Sequence, residues 1–111
     1  MLMPTDIKDE VRAVLNGIQK DSKYGRSYLT AYQILEKLQK RDQIIKERGM
    51  PGQGGGNYYA AANVVSDAAK MLDPDIDIKF LDTSSLKIML KDGTNIVTPG
   101  NPNVGLYRLK K

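Results

Sequence analysis

The chain changes its hydrophobic period once, at Asp73-Pro74, and that switch constrains the fold more than any other feature. Before it, apolar residues recur at helical spacing. Ile7, Val11, Val14, Leu15 and Ile18 form one face, Ile34, Leu35 and Leu38 a second, and Ala61, Val65, Ala68 and Leu72 a third, flanked by Ala62, Val64 and Ala69. After it the period is two. Ile76, Ile78 and Phe80 alternate with Asp77 and Lys79, and Leu86, Ile88 and Leu90 alternate with Lys87, Met89 and Lys91. Asp92-Gly93 is a two-residue hairpin signal, Ile96-Val97 a short third strand and Val104 to Leu109 a fourth. The fold class is therefore α+β: a three-helix core followed by a small antiparallel sheet of three to four strands, in one domain over 1–111. Helices are expected at about 7–19, 30–48 and 58–72, and strands at about 76–81, 86–91, 94–97 and 104–109.

The best-specified helix start is Thr30. Its hydroxyl is placed to cap the helix, and Gln33 can bond back to the cap's own N–H. Leu29 and Ile34 fit the hydrophobic staple that sets the entry angle. Thr5 or Asp6 is expected to cap the first helix, with Asp6, Asp9 and Glu10 in its first turn, where carboxylates meet the positive end of the dipole. Lys20 to Arg26 reads as a polar connection containing Gly25. Gly49 suits a left-handed C-cap with Pro51 as a stop, Asn57 can cap the third helix, and Asp73 before Pro74 ends it.

There is no Cys and no His. That excludes disulfides, Cys- or His-based zinc sites, thiol nucleophiles and triads using imidazole. Acid–base chemistry would fall to Asp, Glu, Lys or Tyr with shifted pKa values. No paired-carboxylate constellation stands out, so the expectation is a non-enzyme with no catalytic residue, no cofactor and no metal. Asp73, Asp75 and Asp77 lie close in sequence but lack the later Gly and Glu of a calcium loop, and read as a helix stop and a polar strand edge. No apolar run approaches the ~20 residues of a membrane span and no signal peptide is visible, so a cytoplasmic location without membrane contact is expected.

The net charge of +4 permits a polyanionic partner without requiring one. Lys20, Lys23, Arg26, Lys37, Lys40, Arg41, Lys46 and Arg48 outnumber Asp21, Glu36, Asp42 and Glu47 between positions 20 and 48. This run reads first as a solvated helix surface and second as a flank facing phosphates. The glycine-dense loop at 50–57 feeds a helix start, where bare N–H groups can hold an anion, but it lacks the Lys-Ser/Thr ending of a P-loop and follows a helix. It reads as a flexible link.

The stretch Tyr28 to Leu38, an extended run leading into a capped helix, resembles the second helix of winged helix-turn-helix domains, and Val-Gly-Leu-Tyr-Arg-Leu resembles the closing strand of their wings. The likeness covers Ile7 to Leu38 and Tyr58 to Leu109 in element order. It implies a DNA-binding or regulatory protein whose third helix enters the major groove while the wing meets the backbone. Two features depart from the family: a long charged segment and glycine loop separate helices two and three, and helix three carries only Asp67 and Lys70 as charges. Under this likeness Lys37, Lys40, Arg41, Lys91, Arg108 and Lys110 are the candidate phosphate contacts, and Gln53, Asn57, Tyr58, Tyr59 and Asn63 the candidates near the groove. The alternative expectation is a non-catalytic protein-interaction module or adaptor, with a protein partner or a second copy of itself.

Overall fold

The computed structural model describes residues 1–48, 58–82, 88–89, 96–97 and 103–110. At Tyr58, Tyr59, Ile88, Met89, Ile96, Val97 and Asn103 the description is limited to the backbone. The class is α+β. In chain order the elements are α1 (Pro4–Asn16), β1 (Lys20–Asp21), β2 (Gly25–Arg26), β3 (Leu29–Thr30), α2 (Ala31–Lys37), α3 (Arg41–Arg48), α4 (Tyr58–Lys70), β4 (Ile76–Asp82), β5 (Ile88–Met89), β6 (Ile96–Val97) and β7 (Asn103–Leu109).

α1 starts earlier than its carboxylates suggest. Thr5 and Asp6 lie inside the helix, and Met3 is the cap residue. Pro4 takes the first helical position, where its fixed φ suits the helix and its missing N–H costs nothing. Asp6 still serves the terminus, accepting from the Met3 N–H at 2.8 Å. Ile7, Val11 and Leu15 are buried, and Val14 and Ile18 pack half-buried against them.

The expected polar connection is a small antiparallel hairpin, with Lys20 opposite Arg26 and Asp21 opposite Gly25. Asp21 Oδ1 accepts from the N–H groups of Lys23 and Tyr24, at 2.8 and 2.9 Å, and closes the turn. Gly25 has φ +80°, a conformation other residues rarely adopt.

Thr30 caps α2. Its hydroxyl accepts from the Gln33 N–H at 3.2 Å, and the Gln33 side chain accepts from the Thr30 N–H at 2.8 Å. The single helix expected over 30–48 is instead two. Leu38 turns to ψ 140° after α2, and the helix resumes at Arg41. The apolar stripe explains the break. Continued in phase from Ile34, Leu35 and Leu38, one helix would point Arg41 and Asp42 at the core. Breaking at Leu38 rephases the chain so that Ile44 becomes wholly buried. Glu10 of α1 accepts from the Gln39 N–H at the break, and Arg41 reaches back to Glu36 at 3.0 Å. The end of α3 is not a purely solvated surface. Glu47 accepts from the Leu2 N–H at 2.7 Å, and Arg48 donates to the Leu2 carbonyl at 2.7 Å.

α4 is the central packing helix. Ala61, Ala62, Val64, Val65, Ala68, Ala69 and the following Leu72 are all buried, and their small size lets α1, α2 and α3 approach closely. Asp73-Pro74, a cis bond, follows in the turn to β4. The main sheet has the order β3-β7-β4, all antiparallel, with Leu29 opposite Tyr107 and Ile76 opposite Leu109. Its helix-facing side contributes Leu29, Ile76, Tyr107 and Leu109 to the core. β5 and β6 pair separately, Ile88 with Val97 and Met89 with Ile96. Gly49, Pro51, the loop at 50–57 and the Asp92-Gly93 turn lie outside the described residues.

Candidate nucleic-acid interface

The outer face of α4 follows from its helical spacing. With the Ala and Val side chains turned inward, Asn63, Asp67 and Lys70 are left exposed. Ser66 is not available on that face, because its hydroxyl bonds the Tyr107 hydroxyl of β7. Tyr107 reaches it by folding its ring over Gly105, where an added Cβ would lie 2.6 Å from the phenolic oxygen. Tyr58 and Tyr59 form the first turn of α4.

Of the six cations expected to meet phosphate, the five that lie among the described residues do not form one group. Lys37, the last residue of α2, and Lys40, in the turn before α3, are both exposed. Arg41 beside them is half-buried and held by Glu36 at 3.0 Å and Asp42 at 2.7 Å, so its charge is spent within the fold. Lys110 belongs to another region. Its N–H bonds the Asp75 carbonyl at 2.9 Å, and its side chain borders a surface cavity of about 340 Å³ with Arg12, Asn16, Pro74, Asp75 and Leu109. Those residues lie beyond the C-terminal end of α4, a helix length of roughly 20 Å from Tyr58. Gln53, Asn57 and Lys91 lie outside the described residues.

Arg108, a candidate phosphate contact on the last strand, is a structural hub of this fold. Its Nε donates to Asp77 Oδ2 at 3.2 Å, and its Nη1 donates to the carbonyls of Tyr24 at 2.9 Å and Arg26 at 3.2 Å. The guanidinium also lies 4.5 Å from the centre of the Tyr28 ring, within cation–π range. One side chain thus ties the β1–β2 hairpin to the outer face of the main sheet. The Tyr28 hydroxyl completes the network, donating to the same Asp77 oxygen at 2.6 Å. That bond, and then Arg108, holds the Asp77 carboxyl below its ordinary range, and the Asp77 bond pushes the Tyr28 phenol above its own. Asp21 is likewise held low, by the N–H of Tyr24 and then of Lys23.

Asp73, Asp75 and Asp77 do not converge. Asp75 faces Arg12 at 3.3 Å while Asp77 faces Tyr28 and Arg108, and among the described residues no group of acidic side chains could hold a metal ion. No described helix is long and apolar enough to cross a membrane. Comparison with protein-family models, with curated proteins and with solved structures finds no match to this chain.

Proposed function

We propose that the chain is a small winged-helix-like DNA-binding or regulatory protein. The observation that carries this reading is the path of the chain through the main sheet. A short strand, β3, leads into the capped helix α2. The long helix α4 leads into β4, and β7 returns between β3 and β4. That is the order in which winged-helix proteins wrap a recognition helix with its wing, and it leaves Asn63, Asp67 and Lys70 on the outer face of α4.

Only Lys70 on that face is basic, so attraction to duplex rests on Lys37 and Lys40 more than on base readout. A salt titration with a labelled duplex tests this directly. Binding should appear at low salt and weaken with a log–log slope of about −0.9 for each phosphate engaged. Lys37→Glu with Lys40→Glu should weaken all sequences alike, and Asn63→Ala should change sequence preference alone. Absence of binding to any duplex or single strand at low salt rejects the reading. A protein-interaction module then takes its place, favoured by the exposed Phe80 and Leu81 of β4.

A further inference from the structure

β4 borders the main sheet, and among the described residues no strand pairs with its outer edge. The phase of its ladder shows which backbone groups that edge offers. The Asp75 carbonyl accepts from the Lys110 N–H at 2.9 Å, continuing the register of Ile76 with Leu109. In an antiparallel pair, residues bonding toward a neighbour alternate with residues bonding away from it. Asp77, Lys79 and Leu81 therefore turn their peptide groups toward β7, and Ile76, Ile78 and Phe80 turn theirs outward. The far side of β7 agrees. Thr30, opposite Leu106, gives its N–H to the Gln33 side chain, as it should if Leu106 bonds toward Lys79.

The side chains along this edge complement themselves. We propose that the outer edge of β4 is a homodimer interface, in which a second copy of the chain pairs antiparallel about a two-fold axis at Ile78. The outward N–H and C=O groups of Ile76, Ile78 and Phe80 then meet those of Phe80, Ile78 and Ile76 of the second copy. On the helix-facing side, Phe80, which is 67% exposed in the single chain, reaches diagonally to the half-buried Ile78 of the other copy. On the outer side, Asp77 lies opposite Lys79 of the second copy, and symmetry repeats the pair. Both intramolecular bonds to Asp77 fall on Oδ2, so the incoming ammonium meets Oδ1.

Charge selects this register. An axis at Lys79 would set the two Lys79 side chains against each other, which is unfavourable directly across a sheet. An axis at Phe80 would place Lys79 opposite Leu81. The axis at Ile78 alone matches opposite charges and apolar side chains together. So short a ladder makes a concentration-dependent dimer rather than a permanent one. The inference does not depend on nucleic-acid binding.

Sedimentation of the 111-residue chain over a concentration series should show a monomer–dimer equilibrium. Phe80→Pro should abolish the dimer. The Phe80 N–H faces outward, so its loss spares the bonds to β7, and an unchanged helical circular dichroism signal checks that the chain still folds. Phe80→Lys is the companion variant should the proline perturb the strand. Because the chain has no Cys, single-Cys variants read the register without interference. Ile78→Cys should oxidise to a linked dimer, its paired Cα atoms lying about 5.5 Å apart, whereas Lys79→Cys should not. A monomer at every concentration overturns the proposal. So does a dimer untouched by either Phe80 variant, or a linked dimer formed more readily through position 79 than through 78.

Discussion

The Tyr28 hydroxyl and the Asp77 carboxylate, 49 positions apart in the chain, share a hydrogen bond of 2.6 Å on the outer face of the sheet. Arg108 binds the same oxygen and covers the tyrosine ring, so three side chains from three segments lock the hairpin and the sheet together.

This relationship predicts an acid limb in stability. The folded state lowers the Asp77 pKa, so it binds that proton less readily than the unfolded chain does. The stabilisation is fully present above the ordinary carboxylate pKa of about 4 and is lost as pH falls through the lower folded value. Tyr28 behaves in the opposite sense. Its pKa is raised, so its share is complete below about 10 and is lost as pH rises through the folded value. Thermal midpoints recorded against pH should fall more gently on the acid side in Tyr28→Phe than in the parent. Superimposable acid limbs would remove the bond from the stability account.

Thr30→Ala should cost about 1 kcal/mol, the usual scale for losing an N-cap oxygen. The capping box is complete in the structure, with both reciprocal bonds formed. Gln33→Ala should cost less, since the Thr30 hydroxyl still reaches its N–H. Denaturant midpoints at an unchanged slope measure both.

Leu35→Ala should destabilise by about 2–5 kcal/mol, the range for emptying a buried leucine site. Val65→Ala removes less volume and should fall below it. Both residues are wholly buried. Lys40→Ala, at an exposed turn, should stay within about 0.5 kcal/mol. Urea unfolding of the three variants sets the ranking, and a Lys40 effect equal to that of Leu35 would contradict the packing.

Ile44 and Ile45 separate two helices from one. With the break at Leu38, Ile44 is buried and Ile45 only partly so. Ile44→Ala should therefore cost more than Ile45→Ala by about 1 kcal/mol or more. The reverse order would restore a single continuous helix.

Gly105→Ala should destabilise by about 1–3 kcal/mol, because the new methyl group meets the Tyr107 ring and pushes its hydroxyl off Ser66. Combined with Ser66→Ala the losses should not add, since both disrupt one contact. Additive losses in a double-mutant cycle would show that Tyr107 holds its place without that bond.

What could be read from the residues depended on whether a face carried a contrast. The Ala and Val stripe of α4 and the alternation of β4 each set apolar against polar at one period, and both were legible. β1 and β2 show no such contrast, because their residues are exposed or half-buried throughout. Asp21 and Gly25 were the available signal for that hairpin. The split between α2 and α3 was hidden by charge, since Arg41 and Asp42 look like ordinary surface until the phase of the stripe is carried through them. Arg108 was the least legible of the candidate residues. A strand arginine has one composition whether it meets solvent or a carboxylate, and the partners Asp77, Tyr24 and Arg26 lie 31, 84 and 82 positions away.

β7 lies between β3 and β4 yet is translated after both. On a ribosome, α1, α2 and α4 can emerge and collapse on their Ala and Val faces while the ladder partner of Leu29 and Ile76 is still unmade. The sheet closes only when residues 103–109 leave the exit tunnel, and until then the backbones of β3 and β4 wait beside an empty slot. Completion of this fold thus waits on the last of its three sheet strands to be made. A nascent chain stalled before position 103 would present to chaperones and proteases two strand edges that the finished molecule has filled.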